Sequence, residues 1–423
     1  MEVNYLESRS TFRDREILIK GISTYYSVED IKSLARLLDI SEAEYFNAYI
    51  SSNELADKFV TRVFQLSKEN QLLETIKDNE DLKRPNIIKN ISTDIINGDN
   101  NENEDESFNS LKILHLSDIH LGTSAEASKY KLQLKTDLIS RLKVEKIDFL
   151  ILSGDITNAS TFDEYDAAFK FIEDIIKSFK IDRSKIIIVP GNHDLSWDVC
   201  KRALIKEDEF NKEIYKLRFD NFSNYFYSKL CGQDYPTEYE KQGILYKYEE
   251  EKIIVLGLNS AWEIDHIKKL RASINMESMS ESIGNIIMDK KYNDWLKIAV
   301  FHHSVTGKDS MDNGFLELLV SNNFKVCMHG HIHEAKYDFY SYGNNREIAI
   351  IGAGTFGAPA EEHVLGVPLQ YNFIELSLDN KQIKVNTRRR EKVDGAWEAD
   401  ARWGDKDNPK PFYKIDLSKI NNI

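Results

Sequence analysis

The chain has 423 residues, a hydrophobic content of 41% and a formal net charge of −14 at pH 7. The length predicts two domains, and the composition is sufficient for a packed core. No apolar run approaches the roughly eighteen residues of a membrane span, and the N-terminal MEVNYLESRS does not have the pattern of a signal peptide. Three scattered cysteines favour reduced thiols in a cytoplasmic protein. The charge argues against a protein that coats duplex DNA but does not exclude a nuclease.

Residues 1–89 have the periodicity of amphipathic helices. Ser27 and Ser41, each followed by acidic residues, are predicted helix starts. Arg84-Pro85 closes the pattern, which predicts a small all-α bundle of four to six helices. The periodic stretches cover residues 17–38, 53–66 and 72–76.

This layout resembles the effector-associated, death-like adaptor domains of bacterial conflict systems. The resemblance is carried by YYSVEDIKSLARLLDI, by ELADKFVTRVFQLSKENQLLETI and by the Arg-Pro end. It implies a partner protein with a like domain, which controls the rest of the chain in a defence or signalling system. The alternative is a helical domain that only packs or dimerises. Residues 90–110, rich in Asn, Asp and Glu, predict an acidic flexible linker.

Five short polar motifs each follow an apolar run in the remainder of the chain. The runs LKILHLS, IDFLILS, KIIIVP, WLKIAVF and FKVCM have the length and β-branched content of buried strands. We expect the strand ends to bring the motifs together on one edge of one sheet, where open α/β sheets carry their chemistry. The motifs are Asp118-Ile119-His120, Gly154-Asp155, Gly191-Asn192-His193-Asp194, His302-His303 and Gly330-His331-Ile332-His333.

The residue types in these motifs are those of a metal site. They offer carboxylates, a carboxamide and several imidazoles, and no cysteine. This mixed set suits Mn, Fe, Zn or Co and disfavours a thiolate site or an all-oxygen calcium site. The ligands are too many for one tetrahedral ion. They suit two ions that share a bridging carboxylate, an arrangement used for in-line displacement at phosphorus.

The series D-x-H, G-D, G-N-H-D, H and G-H-x-H resembles the signature of the calcineurin-like metallophosphoesterase superfamily, over residues 111–378. The resemblance implies an α/β fold, a β-sandwich flanked by helices, in a domain that we extend over residues 111–423. It also implies two divalent metal ions, with Mn²⁺ favoured and Fe, Zn, Co or Ni possible. The implied ligands are Asp118, His120 and His333 for one ion, Asn192, His302 and His331 for the other, and Asp155 for both.

The resemblance further implies how the site acts. His193 would protonate the leaving oxygen or stabilise the transition state, and Asp194 would orient the His193 ring. His303 could take the place of His302 as a ligand. The implied reaction is hydrolysis of a phosphoester by direct attack of a hydroxide held between the two metal ions.

The motif variants narrow the expected substrate. Protein phosphatases of the superfamily usually carry G-N-H-E, whereas this chain has G-N-H-D together with GDITN. We therefore expect a phosphodiester, either nucleic acid or a cyclic nucleotide. The alternatives are a phosphomonoesterase or protein phosphatase, and a nucleotide-sensing binding module without turnover.

Other features have less specific interpretations. The aromatic-rich insertion at residues 197–247 predicts a packed cap, or alternatively a lid whose rings stack on bases. From YNFIELSLDN onward we expect one or two strands and then an irregular tail. His115 and His329 are expected to be structural, and His363 to lie in an exposed loop. The cluster Arg388-Arg389-Arg390 could contact phosphates.

Overall fold

The computed structural model describes most of the chain from Ser110 onward and parts of the N-terminal segment. The chain divides into two compact units, Met1–Phe108 and Asn109–Ile423. Within the described residues, every helix is too short or too polar to cross a membrane. The described residues are 19, 22, 23, 26–41, 52–66, 68, 71, 72, 75, 76, 110–206, 209–307, 310–332, 334–342, 346–357, 367–392, 394–405 and 408–420.

Two helices of the first unit lie where the sequence predicts helical periodicity. α1 (Val28–Leu37) begins after Ser27, whose hydroxyl accepts the amide N–H of Asp30 while the Asp30 carboxylate accepts the amide N–H of Ser27. This reciprocal cap satisfies two amides that the helix itself cannot. α2 is Ser52–Gln65, and buried side chains of both helices share one apolar cluster. The helix predicted after Ser41, the Arg-Pro end and residues 90–109 of the linker lie outside the described residues.

The second unit is built on two β-sheets. The strands of the first sheet are β1 Leu111–Leu116, β2 Phe149–Leu152, β3 Ile186–Ile188, β12 Leu369–Ser377, β13 Gln382–Arg390, β14 Glu398–Ala399 and β17 Phe412–Asp416. In this sheet, β1, β2 and β3 are parallel, and C-terminal strands continue the sheet in the order β14-β13-β12-β1-β2-β3, with β17 also paired to β13.

The second sheet has the order β10-β11-β9-β8-β7-β6, and its inner strands are parallel. The bounds are β6 Gly243–Tyr248, β7 Ile253–Leu258, β8 Leu296–Val300, β9 Phe324–His329, β10 Lys336–Ser341 and β11 Glu347–Gly352. Two hairpins stand apart, β4 (Leu204–Lys206) with β5 (Glu209–Phe210) and β15 (Trp403–Asp405) with β16 (Asn408–Lys410).

The prediction that all five motif-bearing strands share one sheet is wrong. β1, β2 and β3 belong to the first sheet, whereas β8 and β9 belong to the second. An apolar run shows that a strand is buried but does not identify the strand with which it pairs. The motifs still meet, because both sets of parallel strands direct their carboxyl ends to the same side of the unit.

Alternating side chains along the strands separate three apolar layers. Ile113, Ile151 and Val326 share a cluster that contains side chains of both sheets and fills the space between them. Their strand neighbours face outward, so that Leu114 and Leu150 pack against helices on one side while Leu256 and Ala299 do so on the other. The period-two alternation of strands requires this division. The architecture is therefore mixed α/β, as predicted.

Helices cover the outer faces of both sheets. α4 (Phe162–Phe179) begins after the reciprocal cap of Thr161 and Glu164 and buries a continuous apolar face against the first sheet. The longer helices are α3 Ser124–Thr136, α4 Phe162–Phe179, α5 Trp197–Ala203, α9 Met276–Ile287 and α10 Phe315–Ser321. The short helices are α6 Lys212–Tyr215, α7 Asp220–Phe222 and α8 Ser228–Cys231. Segments of 3₁₀ or π geometry are Asp137–Arg141, Arg183–Lys185, Lys216–Phe219, Ser223–Tyr227, Tyr239–Lys241 and Lys290–Tyr292.

The aromatic insertion contributes to the core. Phe222, Phe226 and Tyr227 are fully buried and belong to the same cluster as Tyr165 and Phe171 of α4. Rings in this position have no face left for stacking on a base. The packed-cap prediction therefore describes these three residues better than the lid.

The C-terminal part is more regular than predicted. Six strands, β12 to β17, occur where one or two strands and an irregular tail were expected. Arg388 forms a two-point ion pair with the buried carboxylate of Asp137, with N–O distances of 2.6 and 2.7 Å, and Arg390 is fully buried. The expectation that this arginine cluster contacts phosphates fails for both residues. Their charge is used inside the fold, and a sequence pattern does not report which face of a strand is buried.

Candidate metal centre

The motif residues occupy tight turns at the carboxyl ends of β1, β2 and β9. Asp118, Asp155 and His331 have positive φ angles of 51°, 52° and 57°. Such angles are uncommon for residues with a β-carbon, and they cluster at functional sites where the surroundings impose them. The turn after β2 also requires Gly154, whose φ is 98°. The turns therefore hold the backbone of these residues in a strained conformation, which fixes where their side chains begin.

Four of the predicted ligands converge. Asp118, Asp155, His302 and His331 each offer one ligand atom, and these atoms all lie within 4.8 Å of one another. The Nε2 atom of His302 is 3.1 Å from the Asp155 carboxylate and 3.2 Å from Nδ1 of His331. Side chains from both sheets thus form one buried group of nitrogen and oxygen donors.

The two adjacent histidines point in different directions. His302 Nδ1 is 2.7 Å from the carbonyl oxygen of Ser153, which leaves Nε2 directed at Asp155. His303 Nδ1 lies 2.8 Å from the hydroxyl of Ser260. His303 still belongs to a second possible group with His302 and His331. The hydrogen-bonded orientation favours His302 as the histidine that faces the shared carboxylate.

The charges of this group are strongly coupled. Burial alone would lower the pKa of His302, but the charge of Asp155 and the hydrogen bond to it raise that pKa to about 9. Burial would raise the pKa of Asp155, and His302 instead holds that pKa well below its usual range. Burial and the neighbouring His302 lower the pKa of His303. The negative potential that retains a proton on His302 also favours a divalent cation.

His193 lies beside this group and is held by a backbone carbonyl. Its Nδ1 is 2.7 Å from the Asn158 carbonyl oxygen, and its ring contacts that of His120 edge to face, with 4.9 Å between centroids. Its amide donates to the Asp155 carboxylate at 2.7 Å. Burial would lower the pKa of His193, but the charge of Asp155 and the bond to Asn158 raise it. A raised pKa suits a residue that delivers a proton.

The hydrogen bonds of Asp194 differ from the predicted contact with the His193 ring. Its carboxylate accepts the amides of Gly191 at 3.0 Å and Ile156 at 3.1 Å, and it also accepts the hydroxyl of Tyr165 at 3.2 Å. Asp194 therefore ties together the turns that carry the second and third motifs, while the Asn158 carbonyl contacts the His193 ring. Burial and the charge of Asp155 raise the pKa of Asp194 to about 7.

The remaining predicted ligands border the group. His120 Nε2 is 3.9 Å from the Asp118 carboxylate, and Asn192 is next to His193, whose amide binds Asp155. The Nδ1 atom of His120 and the Oδ1 atom of Asn192 are buried and make no hydrogen bond to any described residue. Unpaired buried polar atoms are costly unless they bind something. His333 lies outside the described residues.

The donor set fits divalent metal ions. It combines carboxylates, imidazoles and a carboxamide at short range, without a thiolate. The unpaired atoms of His120 and Asn192 are of the types that bind such ions. On these observations the described residues fit a divalent-metal site.

Serine residues outside the five motifs organise the site. Ser117 donates a 2.6 Å hydrogen bond to the Asp118 carboxylate, and the Ser260 hydroxyl accepts the amides of His302 and His303. The Ser153 carbonyl fixes His302. A signal was present, because Ser117 and Ser153 each come directly before a motif.

His115 and His329 are not part of this group. His115 Nε2 contacts the Ser153 hydroxyl at 2.9 Å, and His329 stacks on Phe301 with Nδ1 2.8 Å from the Gly330 carbonyl. Burial lowers the pKa values of His115 and His329 to about 3 and 4. Both contacts agree with the structural role expected of them. His363 lies outside the described residues.

Gly330 is essential to the approach of the last motif to the first. A β-carbon there would lie 1.6 Å from the Ser117 hydroxyl and 2.6 Å from the Asp118 carboxylate. We expect Gly330→Ala to weaken Mn²⁺ binding at least tenfold and to destabilise the fold by about 1–3 kcal/mol. Calorimetric titration and thermal melting measure both effects. Gly284→Ala is the control, since a β-carbon at Gly284 in α9 meets open space. Equal metal affinity in Gly330→Ala and the wild type would contradict this account.

The region that carries the motifs matches a known protein family. The family model described as calcineurin-like phosphoesterase matches residues 111–335, which is more than half of the chain. The chain belongs to the calcineurin-like phosphoesterase family. The matched region begins at β1 and extends past the last motif, so it contains every described member of the candidate site.

Individual relatives are distant. The chain is 22% identical to the "uncharacterized metallophosphoesterase-like protein YydB" of Bacillus subtilis, over 65% of this chain and 58% of the relative. It is 28% identical to a "probable cyclic nucleotide phosphodiesterase" of Fibrobacter succinogenes, over 29% of this chain and 46% of the relative. The chain thus spans about half the length of these relatives. Purple acid phosphatase PPD1 from yellow lupin aligns with 67% of this phosphoesterase and 52% of the lupin chain, at 12% identity and a TM-score of 0.43.

Proposed function

We propose that the chain is a dinuclear metal-dependent phosphodiesterase that acts on nucleic acid or on a nucleotide. The observation that carries this proposal is the buried convergence of Asp118, Asp155, His302 and His331, with His193 alongside. Hydrolysis of phosphoester bonds is the chemistry of the family. Support for a diester comes from the GDITN and G-N-H-D motifs and from the name of the Fibrobacter relative, a probable cyclic nucleotide phosphodiesterase.

The proposed ligand assignment follows the motifs. Asp118, His120 and His333 would hold one ion, Asn192, His302 and His331 would hold the other, and Asp155 would serve both. The short distance between the His302 and His331 nitrogens supports their sharing one ion. We propose Mn²⁺ as the physiological metal, although the donor set also suits Fe, Zn, Co and Ni.

The chain's own residues divide the catalytic work. When bound, the two cations supply an activated water and offset charge on the phosphoryl group. His193 would deliver a proton to the leaving oxygen through Nε2, because the Asn158 carbonyl fixes Nδ1 and Nε2 makes no hydrogen bond to any described residue. Asp194 keeps the turns that carry Asp155 and His193 in register.

A panel of substrates tests the proposal. The full chain, supplied with Mn²⁺, is offered single- and double-stranded DNA, RNA, cyclic mononucleotides, a chromogenic phosphodiester and a phosphomonoester, with Asp155→Asn as the blank. We expect diesters to be hydrolysed at least about tenfold faster than the monoester. Faster turnover of the monoester would contradict the diester assignment. Tight nucleotide binding without turnover would favour the binding module.

We further propose that residues 1–89 recruit the enzyme to a partner protein in a bacterial defence or signalling system in the cytoplasm. The resemblance of this segment to effector-associated adaptor domains supports the proposal, as do the capped helix α1 and the apolar cluster it shares with α2. The composition of residues 90–110, rich in Asn, Asp and Glu, is typical of a tether and suits a recruited enzyme.

A further inference from the structure

A short segment that belongs to none of the motifs braces the first of them. Residues 353–357, which we call the bridging segment, follow β11. The Phe356 amide donates to the Ser117 carbonyl at 3.0 Å, and the Gly357 amide donates to the Asp118 carbonyl at 3.0 Å. These bonds fix the backbone on which the Asp118 carboxylate is mounted, at its positive φ angle.

The other end of the bridging segment holds the last motif. The Ala353 amide donates to the His329 carbonyl at 2.9 Å, and the Thr355 hydroxyl donates to the Ile332 carbonyl at 3.4 Å. The bridging segment thus joins the turn of the first sheet that carries the first motif to the turn of the second sheet that carries the last. Its position sets the distance between the two turns.

Arg390, at the end of β13, is hydrogen-bonded to the bridging segment. Its Nη2 donates to the Phe356 carbonyl at 3.3 Å, and its Nη1 donates to Gln133. The guanidinium is fully buried and is enclosed by the rings of Trp397 and Tyr130, at 4.4 and 4.9 Å from their centroids. The planar fork spans both acceptors, which a lysine cannot do.

Arg388, in the same strand, serves as a comparison, because its contacts are purely structural. It is buried two residues earlier and forms a two-point ion pair with Asp137, which also accepts the Tyr371 hydroxyl. The hydrogen bonds of Arg390 instead end on a side-chain amide and on a carbonyl of the bridging segment. Burying a charge is costly. The buried guanidinium of Arg390 holds the bridging segment in place.

We infer that Arg390 is a positioning residue, which fixes Phe356 and Gly357 against Ser117 and Asp118 and thereby sets the affinity of the site for divalent cations. The inference rests on the proposed function, since it assigns Arg390 to the metal site proposed there. It concerns metal binding itself, so it can be tested without any substrate.

The test compares Arg390→Met with Arg388→Gln in the full chain. Metal-free protein is titrated with Mn²⁺ by calorimetry, and thermal stability is measured for each variant. Arg390→Met keeps the apolar length but removes both hydrogen bonds, and we expect it to weaken Mn²⁺ binding about tenfold or more. Arg388→Gln is expected to melt at a lower temperature than the wild type, yet to bind Mn²⁺ within about twofold of the wild-type value.

Each outcome has a distinct meaning. Weakened binding in Arg390→Met with unchanged binding in Arg388→Gln supports the inference. Wild-type affinity in Arg390→Met, or equal weakening in both variants, overturns it. If Arg390→Met does not fold, Arg390→Lys replaces it, and wild-type affinity in that variant overturns the inference. Failure of the wild-type protein to bind Mn²⁺ would instead refute the proposed function.

Discussion

Replacing Asp155 with asparagine is expected to lower kcat/KM for phosphodiesters by well over 100-fold. Loss of residues that merely support metal ligands costs about 10- to 100-fold, and Asp155 is proposed to contact both ions directly. Its carboxylate lies 3.1 Å from His302 and also accepts the His193 amide. The amide of asparagine keeps the size of the side chain but removes the charge that attracts cations. Steady-state hydrolysis and metal content of the same samples measure the effect.

Asp148 supplies a control at the other end of the same strand. It lies just before β2, at the end opposite Asp155, and its carboxylate accepts the Lys112 amide at 2.9 Å and pairs with Lys146. We expect Asp148→Asn to leave turnover within about twofold, because Asp148 lies at the end of β2 opposite the site and an asparagine oxygen can still accept the Lys112 amide. Full turnover and full metal content in Asp155→Asn would show that the site lies elsewhere.

Replacing His193 with glutamine is expected to separate metal binding from proton delivery. A general acid contributes about 10²- to 10⁴-fold, so we expect a loss of that size in kcat for a diester with a nucleoside leaving group. A diester with an acidic phenol as leaving group needs little protonation, and its turnover is expected to fall less than about tenfold. Mn²⁺ binding should persist, because His193 is not among the converged donors.

The dependence on leaving group makes the His193 assignment specific. Equal losses for both substrates would mean that His193 stabilises the transition state without donating a proton. Loss of bound Mn²⁺ in His193→Gln would mean that the residue acts as a ligand, contrary to the assignment. A kcat unchanged for both diesters would remove His193 from the mechanism.

The convergence of Asp118, Asp155, His302 and His331 was predictable from the sequence, because local signals determine it. Apolar runs of strand length and the motifs that follow them are both visible in the chain, and β1, β2, β3, β8 and β9 each end shortly before a motif. The helix start at Ser27 was equally predictable, since the capping residue and its acidic partner are three positions apart.

What the sequence did not predict depends on contacts between distant residues. The division of the strands between two sheets is decided by pairing across the chain. The contact of the His193 ring with the Asn158 carbonyl involves a backbone atom, which every residue type possesses. Arg388 and Arg390 look alike in sequence, yet one pairs with Asp137 and the other binds Phe356. Only the three-dimensional arrangement separates such cases.

The most direct test of the central claim is calorimetric titration of the metal-free full chain with Mn²⁺, with turnover of a chromogenic phosphodiester followed in the same samples. We predict that about two ions bind per chain and that turnover rises as the second ion binds. Binding of no ion, or turnover that persists after complete removal of metal by a chelator, would contradict the account.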